Sequence, residues 1–308
     1  MYGKIVVPLD GSELAEGVIP HVAEVIRNRG SHVCLLTVAQ VARITTSVLP
    51  DLLSASSNTR EERARVEKEL TTYLRAIAGK LEPAAAEVQV NVRFGRPADE
   101  ILAFAGDADA DLIVMSSHGR SGISRWVLGS VVDRVLHGAV YPILIVHAKP
   151  RQADPTYQHI LVPLDGSELA EQVLPHVRAL IRPGYTRIDL ISVLANGFSD
   201  RTITLLTSSP PGLQLSTTAL SKAEVQLTAY LRSVAATLRE REATVNTSVK
   251  HGSPAEEILT HAAEVNADLI CMTAHGLSGV SRWMYGNVAS KVLQGSHCPV
   301  LLVRPPSD

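Results

Sequence analysis

The sequence is short of three things: cysteine, excess charge of either sign, and long apolar runs. The three cysteines, Cys34, Cys271 and Cys298, are odd in number and unevenly split. That argues against a disulfide framework and suits a reducing compartment. With 29 Lys+Arg against 31 Asp+Glu, the net charge is −2. No basic stripe is present of the kind that neutralises phosphates along a nucleic acid, so nucleic acid is not an expected partner. No apolar run approaches the ~20 residues that a membrane-spanning helix needs. The opening MYGKIVVPLDGSE meets Asp10 and Glu13 too early for a signal peptide. A cytoplasmic protein is expected. Also missing are GxxxxGK[ST], GxGxxG and GxSxG, which excludes a P-loop, a dinucleotide fingerprint and a nucleophile elbow.

What is present is a repeat. IVVPLDGSELAE (Ile5 to Glu16) and ILVPLDGSELAE (Ile160 to Glu171) agree at 11 of 12 places, offset by 155. HGRSGISRWVLG (His118 to Gly129) and HGLSGVSRWMYG (His275 to Gly286) agree at 8 of 12, offset by 157. GRPADEIL from Gly95 and GSPAEEIL from Gly252 keep that second offset, so the slip falls between Val38 and Tyr73. A period this long, present twice, means duplicated domains rather than a solenoid. We expect domains at 1–148 and 157–308, joined by a linker over 149–156 within AKPRQADPT.

Each half alternates strand and helix. KIVVPLD reads as a buried strand, and Ser12 caps a helix running to about Arg27 with a kink at Pro20. His32 to Val38 is the second strand, followed by an irregular stretch to about Asn58. EERARVEKELTTYLRAIAGKLE is an amphipathic helix with Val66, Leu70, Tyr73, Leu74 and Ile77 on one face. Glu87 to Arg93, DLIVMSS and YPILIVHA are strands three to five, with a helix opened by Pro97 and another from Gly129. Such alternation predicts α/β domains, each with a parallel sheet covered on both faces.

The segment SSHGRSGISRWVLGS, Ser116 to Ser130, leaves strand four, turns through Gly119 and Gly122, and enters a helix at Gly129 and Ser130. Glycines let backbone N–H groups face a ligand, and a helix N-terminus adds unpaired donors and a positive dipole end. A phosphate would suit it; so would an unliganded connection. Asp10 and Asp165 end the first strand of each half, where open α/β sheets bind ligands at the switch point. Either carboxylate would accept from a ribose hydroxyl or hold Mg²⁺ through water, or serve only as a turn residue beside the capping serine. His118 and His275 have no carboxylate close in sequence, so a loop-fixing hydrogen bond is expected rather than catalysis. Trp126 and Trp283 stand at matching loop positions, at a site rim or against another subunit. Cys271 and Cys298 are expected as inert buried thiols on neighbouring strands.

With these residues in view, the chain resembles the universal stress proteins in tandem two-domain form. The most specific element is Gly-x2-Gly-x9-Gly-Ser/Thr after strand four. It stands here as Ser116, Gly119, Gly129 and Ser130, and in the second half as Thr273, Gly276, Gly286 and Asn287. The resemblance implies Rossmann-like domains with five-stranded parallel sheets in order 3-2-1-4-5 and pairing of the two domains through the last strand; a homodimer of the chain is a further expectation. It also implies adenine held near the ends of strands one and two, which carries onto Pro8, Asp10 and Val38. Phosphates would sit on Ser116, His118, Gly119, Arg120 and Gly122, and on Ser130, Val131 and Val132. The second-half equivalents are Pro163, Asp165 and Val193, then Thr273, Gly276 and Gly279, then Asn287, Val288 and Ala289.

The expected function is therefore ATP binding, possible Mg²⁺ included, by a stress-response module that works through binding rather than turnover. A slow ATPase and a structural interaction protein are the alternatives. Hydrolysis needs a positioned water and a base, and the sequence supplies Asp10 and Arg120 without an obvious base. Because Asp165, Gly276 and Gly286 remain, a second cleft is expected. It should bind more weakly, since Leu277 replaces Arg120 and Asn287 replaces Ser130.

Overall fold

The computed structural model describes residues 2–27, 29–40, 58–82, 84–118, 128–147, 155–195, 217–274 and 286–304. The chain divides into two compact units, Met1–Pro155 and Thr156–Asp308.

In the first unit the strands are β1 (Lys4–Pro8), β2 (His32–Ala39), β3 (Glu87–Phe94), β4 (Leu112–Ser116) and β5 (Ile143–Val146). They form a parallel sheet in the order β3-β2-β1-β4-β5. Consecutive residues of a strand point to opposite faces. Ile5, Val6 and Val7 are all buried, as is every residue of β4, so both faces of the central strands are covered.

The helices are α1 (Glu13–Glu16), α2 (Ile19–Ile26), α3 (Asn58–Ala78), α4 (Pro97–Asp107) and α5 (Ser130–Gly138). The single kinked helix expected after β1 is instead two helices. Ser12 caps only α1, and Pro20 lies in the first turn of α2, where no intrahelical N–H is needed. The break falls at Gly17 and Val18, and Val18 O accepts from Val22 N at 2.9 Å to start α2. Pro97 opens α4 as expected.

The second unit repeats the plan. β6 (His159–Pro163), β7 (Arg187–Ala195), β8 (Thr244–Gly252), β9 (Leu269–Thr273) and β10 (Val300–Val303) are parallel, ordered β8-β7-β6-β9-β10. Its helices are α6 (Glu168–Glu171), α7 (Leu174–Leu180), α8 (Thr217–Arg239), α9 (Pro254–Glu264) and α10 (Asn287–Gly295). One device recurs at the amino ends of the central strands. Asp111 Oδ2 accepts from Gly3 N and Lys4 N at 2.8 and 2.9 Å, and Asp268 accepts from Gln158 N and His159 N at 2.7 and 3.1 Å. Each carboxylate ties the start of the first strand to that of the fourth.

Candidate functional site

β1 and β4 are neighbours whose chains continue to opposite sides of the sheet, which creates a crevice at their carboxyl ends. On the β1 side the chain turns at Gly11, whose φ of +80° suits a residue without a Cβ. Asp10 Oδ1 accepts from Ser12 N at 3.0 Å and from Ser12 Oγ at 2.6 Å, and that hydroxyl accepts from Ala15 N at 3.2 Å to cap α1. Asp10 also lines the cavity described below, so it is both a turn residue and a cavity-facing carboxylate. Asp165 and Ser167 reproduce the turn in the second unit at 3.0 and 2.6 Å.

On the β4 side, the Ser117 carbonyl accepts from Gly129 N at 3.0 Å, which brings the end of the strand to the start of α5. A Cβ on residue 129 would stand 3.3 Å from that carbonyl, so the approach favours glycine. Gly129 spends its own N–H there. The first-turn N–H groups of Ser130, Val131 and Val132 lack intrahelical acceptors and sit at the positive end of the helix. The half-exposed Asp133 carboxylate in the same turn offsets part of that potential. His118 Nδ1 is hydrogen-bonded to Ser117 Oγ at 3.0 Å, the loop-fixing contact expected of it. Its Nε2 is buried with no partner among the described residues.

These elements enclose a cavity of about 390 Å³, within the size range of small-molecule sites. Of the first-half candidates, Pro8, Asp10, Val38, Ser116, His118, Gly129, Ser130, Val131 and Val132 all line it. Gly119, Arg120 and Gly122 lie outside the described residues, as do Trp126 and the stretch 41–57. The sheet order spreads the lining: β2 and α3 at one end, β1 in the middle, β4 and α5 at the other. Leu36, Val66, Leu70, Ile101 and Met115 make the walls apolar, and no Lys or Arg lines the cavity among the described residues.

Sequence reasoning missed Thr37, Gln40 and Glu62, which also line it. Thr37 is 4% exposed, and its Oγ1 has no partner among the described residues. Val66 and Leu70 were legible as an inward stripe, but the pattern reads equally as solid core. In the second unit, Pro163 ends β6, Val193 lies in β7, Thr273 ends β9 and Gly286 caps α10, whose first residues are Asn287, Val288 and Ala289. Gly276, Gly279, His275, Leu277 and Trp283 lie outside the described residues.

Among the described residues magnesium finds no built site. Asp10 Oδ1 is engaged by Ser12, and the described residues contain no group of three or more His, Cys, Asp or Glu able to hold a metal. All three cysteines are free and buried. Burial pushes the Cys34 and Cys271 thiols up, which keeps them inert. Cys271 lies in β9, but Cys298 sits two residues before β10 rather than on it, where the turn lets Ser296 Oγ donate to its carbonyl at 2.7 Å. No helix among the described residues is long and apolar enough to cross a membrane.

Comparison with known proteins agrees with this architecture. The profile of the universal stress protein family matches residues 1–147 and again 156–304. A universal stress protein of Methanocaldococcus jannaschii is 30% identical over 152 residues, covering 49% of this chain and 85% of that one. One of Mycobacterium tuberculosis is 28% identical over 197 residues, 64% of this chain and 62% of the relative's length. The crystal structure of a universal stress protein from Archaeoglobus fulgidus covers 99% of this chain and 97% of its own at a TM-score of 0.70 and 20% identity, a likeness of fold.

Proposed function

This chain belongs to the universal stress protein family, and we propose that its first half binds an adenine nucleotide, with ATP the expected ligand. The observation that carries the reading is a single cavity at the sheet's switch point, lined both by Asp10 and by the first turn of α5. The apolar walls suit a base, the Asp10 carboxylate suits ribose hydroxyls, and the unpaired amides of Ser130, Val131 and Val132 suit a phosphate. With no cation among the described lining residues, base and ribose burial supply most of the affinity. The helix terminus adds about 0.3–1 kcal/mol per anionic group.

The protein works by binding rather than turnover in this reading. Of the titratable lining groups, Asp10 holds a turn, His118 Nδ1 is bonded to Ser117, and Glu62 lies on α3, at the opposite end of the cavity from the first turn of α5. We place the protein in the cytoplasm, which fits three free buried thiols. Each sheet ends on a short, wholly apolar strand, ILIV in β5 and VLLV in β10. Such edges call for cover, which the expected pairing through the last strands supplies; a homodimer of the chain is a separate expectation, read as twice the chain mass in solution.

The test is calorimetric titration of the purified chain with ATP, ADP and AMP, together with mass identification of any nucleotide that copurifies. Saturable ATP binding that Gly119→Val weakens is expected. Absence of binding, or equal affinity in that variant, overturns the proposal.

A further inference from the structure

The two halves differ at one end of the cleft. In the first unit Ala39, at the end of β2, and Val66 and Leu70, on α3, are part-exposed and line the cavity. Their counterparts follow from two registers. Ala39 faces Phe94 across β2 and β3 as Leu194 faces His251 across β7 and β8. The shared Tyr-Leu of α3 and α8, at Tyr73 and Tyr230, aligns Val66 with Ala223 and Leu70 with Leu227.

In the second unit those three residues are closed rather than open. Leu194, Ala223 and Leu227 are 1%, 5% and 3% exposed and form one packed cluster, joined by Tyr230 and Val249. Leu227 Cδ2 lies 3.6 Å from where a Cβ on Gly166 would stand, so it reaches the turn beside Asp165. The exchange of Ala39 and Val66 for Leu194 and Ala223 moves bulk from the helix onto the strand end.

A polar difference points the same way. Ser192, the counterpart of Thr37, donates its Oγ to Leu164 O at 2.6 Å, whereas Thr37 Oγ1 has no partner among the described residues. The second unit satisfies a buried hydroxyl that the first leaves without a partner among the described residues.

We infer that the second half has closed this end of its cleft with its own side chains, and that the residue at position 39 or 194 decides occupancy. The intact chain then binds one nucleotide, in its first half. This rests on the nucleotide reading above and adds its stoichiometry and the residue that sets it. The second cleft expected from Asp165, Gly276 and Gly286 is thus filled at the strand-β7 end, where Leu194 lies. The inequality expected from Leu277 in place of Arg120 and Asn287 in place of Ser130 follows here from side-chain volume.

Two measurements on the intact chain test this. In calorimetry with ATP, the wild type should titrate at one nucleotide per chain. Ala39→Leu should weaken binding about 10- to 100-fold by overfilling the site. Two nucleotides per wild-type chain, or undiminished binding by Ala39→Leu with an unchanged circular dichroism spectrum, overturns the inference. The second measurement needs no nucleotide: xenon under pressure, read by methyl chemical shifts. Xenon should shift the Val66 and Leu70 methyls and leave those of Leu194 and Leu227 in place; equal shifts in both units overturn the closure. If ATP does not bind yet xenon enters only the first unit, the nucleotide reading and its stoichiometry fall while the closure stands.

Discussion

Asp10 is the residue at which stability and binding meet, and the two contributions separate by mutation. Its Oδ1 accepts two hydrogen bonds, from Ser12 N at 3.0 Å and Ser12 Oγ at 2.6 Å. Bonds to a charged group contribute roughly 1.5–3 kcal/mol when buried, and this pair is only part-buried. About 2 kcal/mol for both is the working figure for Asp10→Ala. For a unit of about 150 residues that is a fall of roughly 4–8 °C in melting temperature. Ser12→Ala keeps the backbone N–H bond but removes the hydroxyl bond to Asp10 and the cap on Ala15 N, so it should cost about the same, ~2 kcal/mol. Asp10→Asn keeps an acceptor in place and should cost about half. Binding follows a different order. Asp10→Ala should weaken ATP binding about tenfold by losing the ribose acceptor, while Ser12→Ala should change it by less than about threefold. Thermal melts and calorimetry on the same preparations read both quantities. The mirrored variants Asp165→Ala and Ser167→Ala, with matching geometry, should lower stability without touching ATP affinity. If Ser12→Ala weakens ATP binding as much as Asp10→Ala does, the carboxylate is only a turn residue and its assignment to the ligand is wrong.

Three further outcomes are expected. Thr37→Val replaces a buried hydroxyl lacking a partner among the described residues and should leave apo stability unchanged or raise it. Ser192→Ala, which breaks the 2.6 Å bond to Leu164 O, should cost about 1 kcal/mol by urea unfolding; equal costs would refute the contrast. Gly129→Ala puts a Cβ 3.3 Å from Ser117 O. It should cost about 1 kcal/mol and weaken ATP binding several-fold, and an unaffected titration would show that the helix start does not touch the ligand. Burial pushes the His21 imidazole down to about 4, and lowers His176 in the same direction. Below pH 6.5 the unfolded chain therefore binds protons that the native chain refuses. The stability present above pH 6.5 falls as the pH drops from 6.5 toward 4, by about 2 kcal/mol for His21 after allowing for its partial exposure. His21→Gln should flatten that part of the urea-midpoint profile, and an unchanged slope would refute the assignment.

Much of the fold was legible because apolar runs such as KIVVP and DLIVMS are buried on both faces, a pattern that only a covered parallel sheet produces. Pro20 was misread because a proline inside a helix and one in the first turn of the next helix leave the same local pattern. The strand order came from the resemblance, since nothing in a single strand names its neighbours. At the site, the glycines and Asp10 were legible because backbone turns demand particular residues. Thr37, Gln40 and Glu62 were not, because they reach the cavity only through the crossing of β2 and α3. Val66 and Leu70 illustrate the deeper limit. Helical periodicity says which face turns inward, but not whether the space there is filled. That is also why Ala39 and Leu194, both ordinary strand residues, gave no sign in the sequence of one cleft open and the other closed.

The central claim is that a nucleotide docks at the switch point of the first half, with its phosphates on the first turn of α5. Backbone amide spectra of the intact chain, recorded as ATP is added, test it most directly. The claim predicts that the largest shifts fall on Ser130, Val131 and Val132, with a second group at Asp10 and around Thr37 to Gln40, and that Asn287, Val288 and Ala289 stay in place. Saturating ATP with no change at Ser130 to Val132, or with equal changes at Asn287 to Ala289, would contradict it.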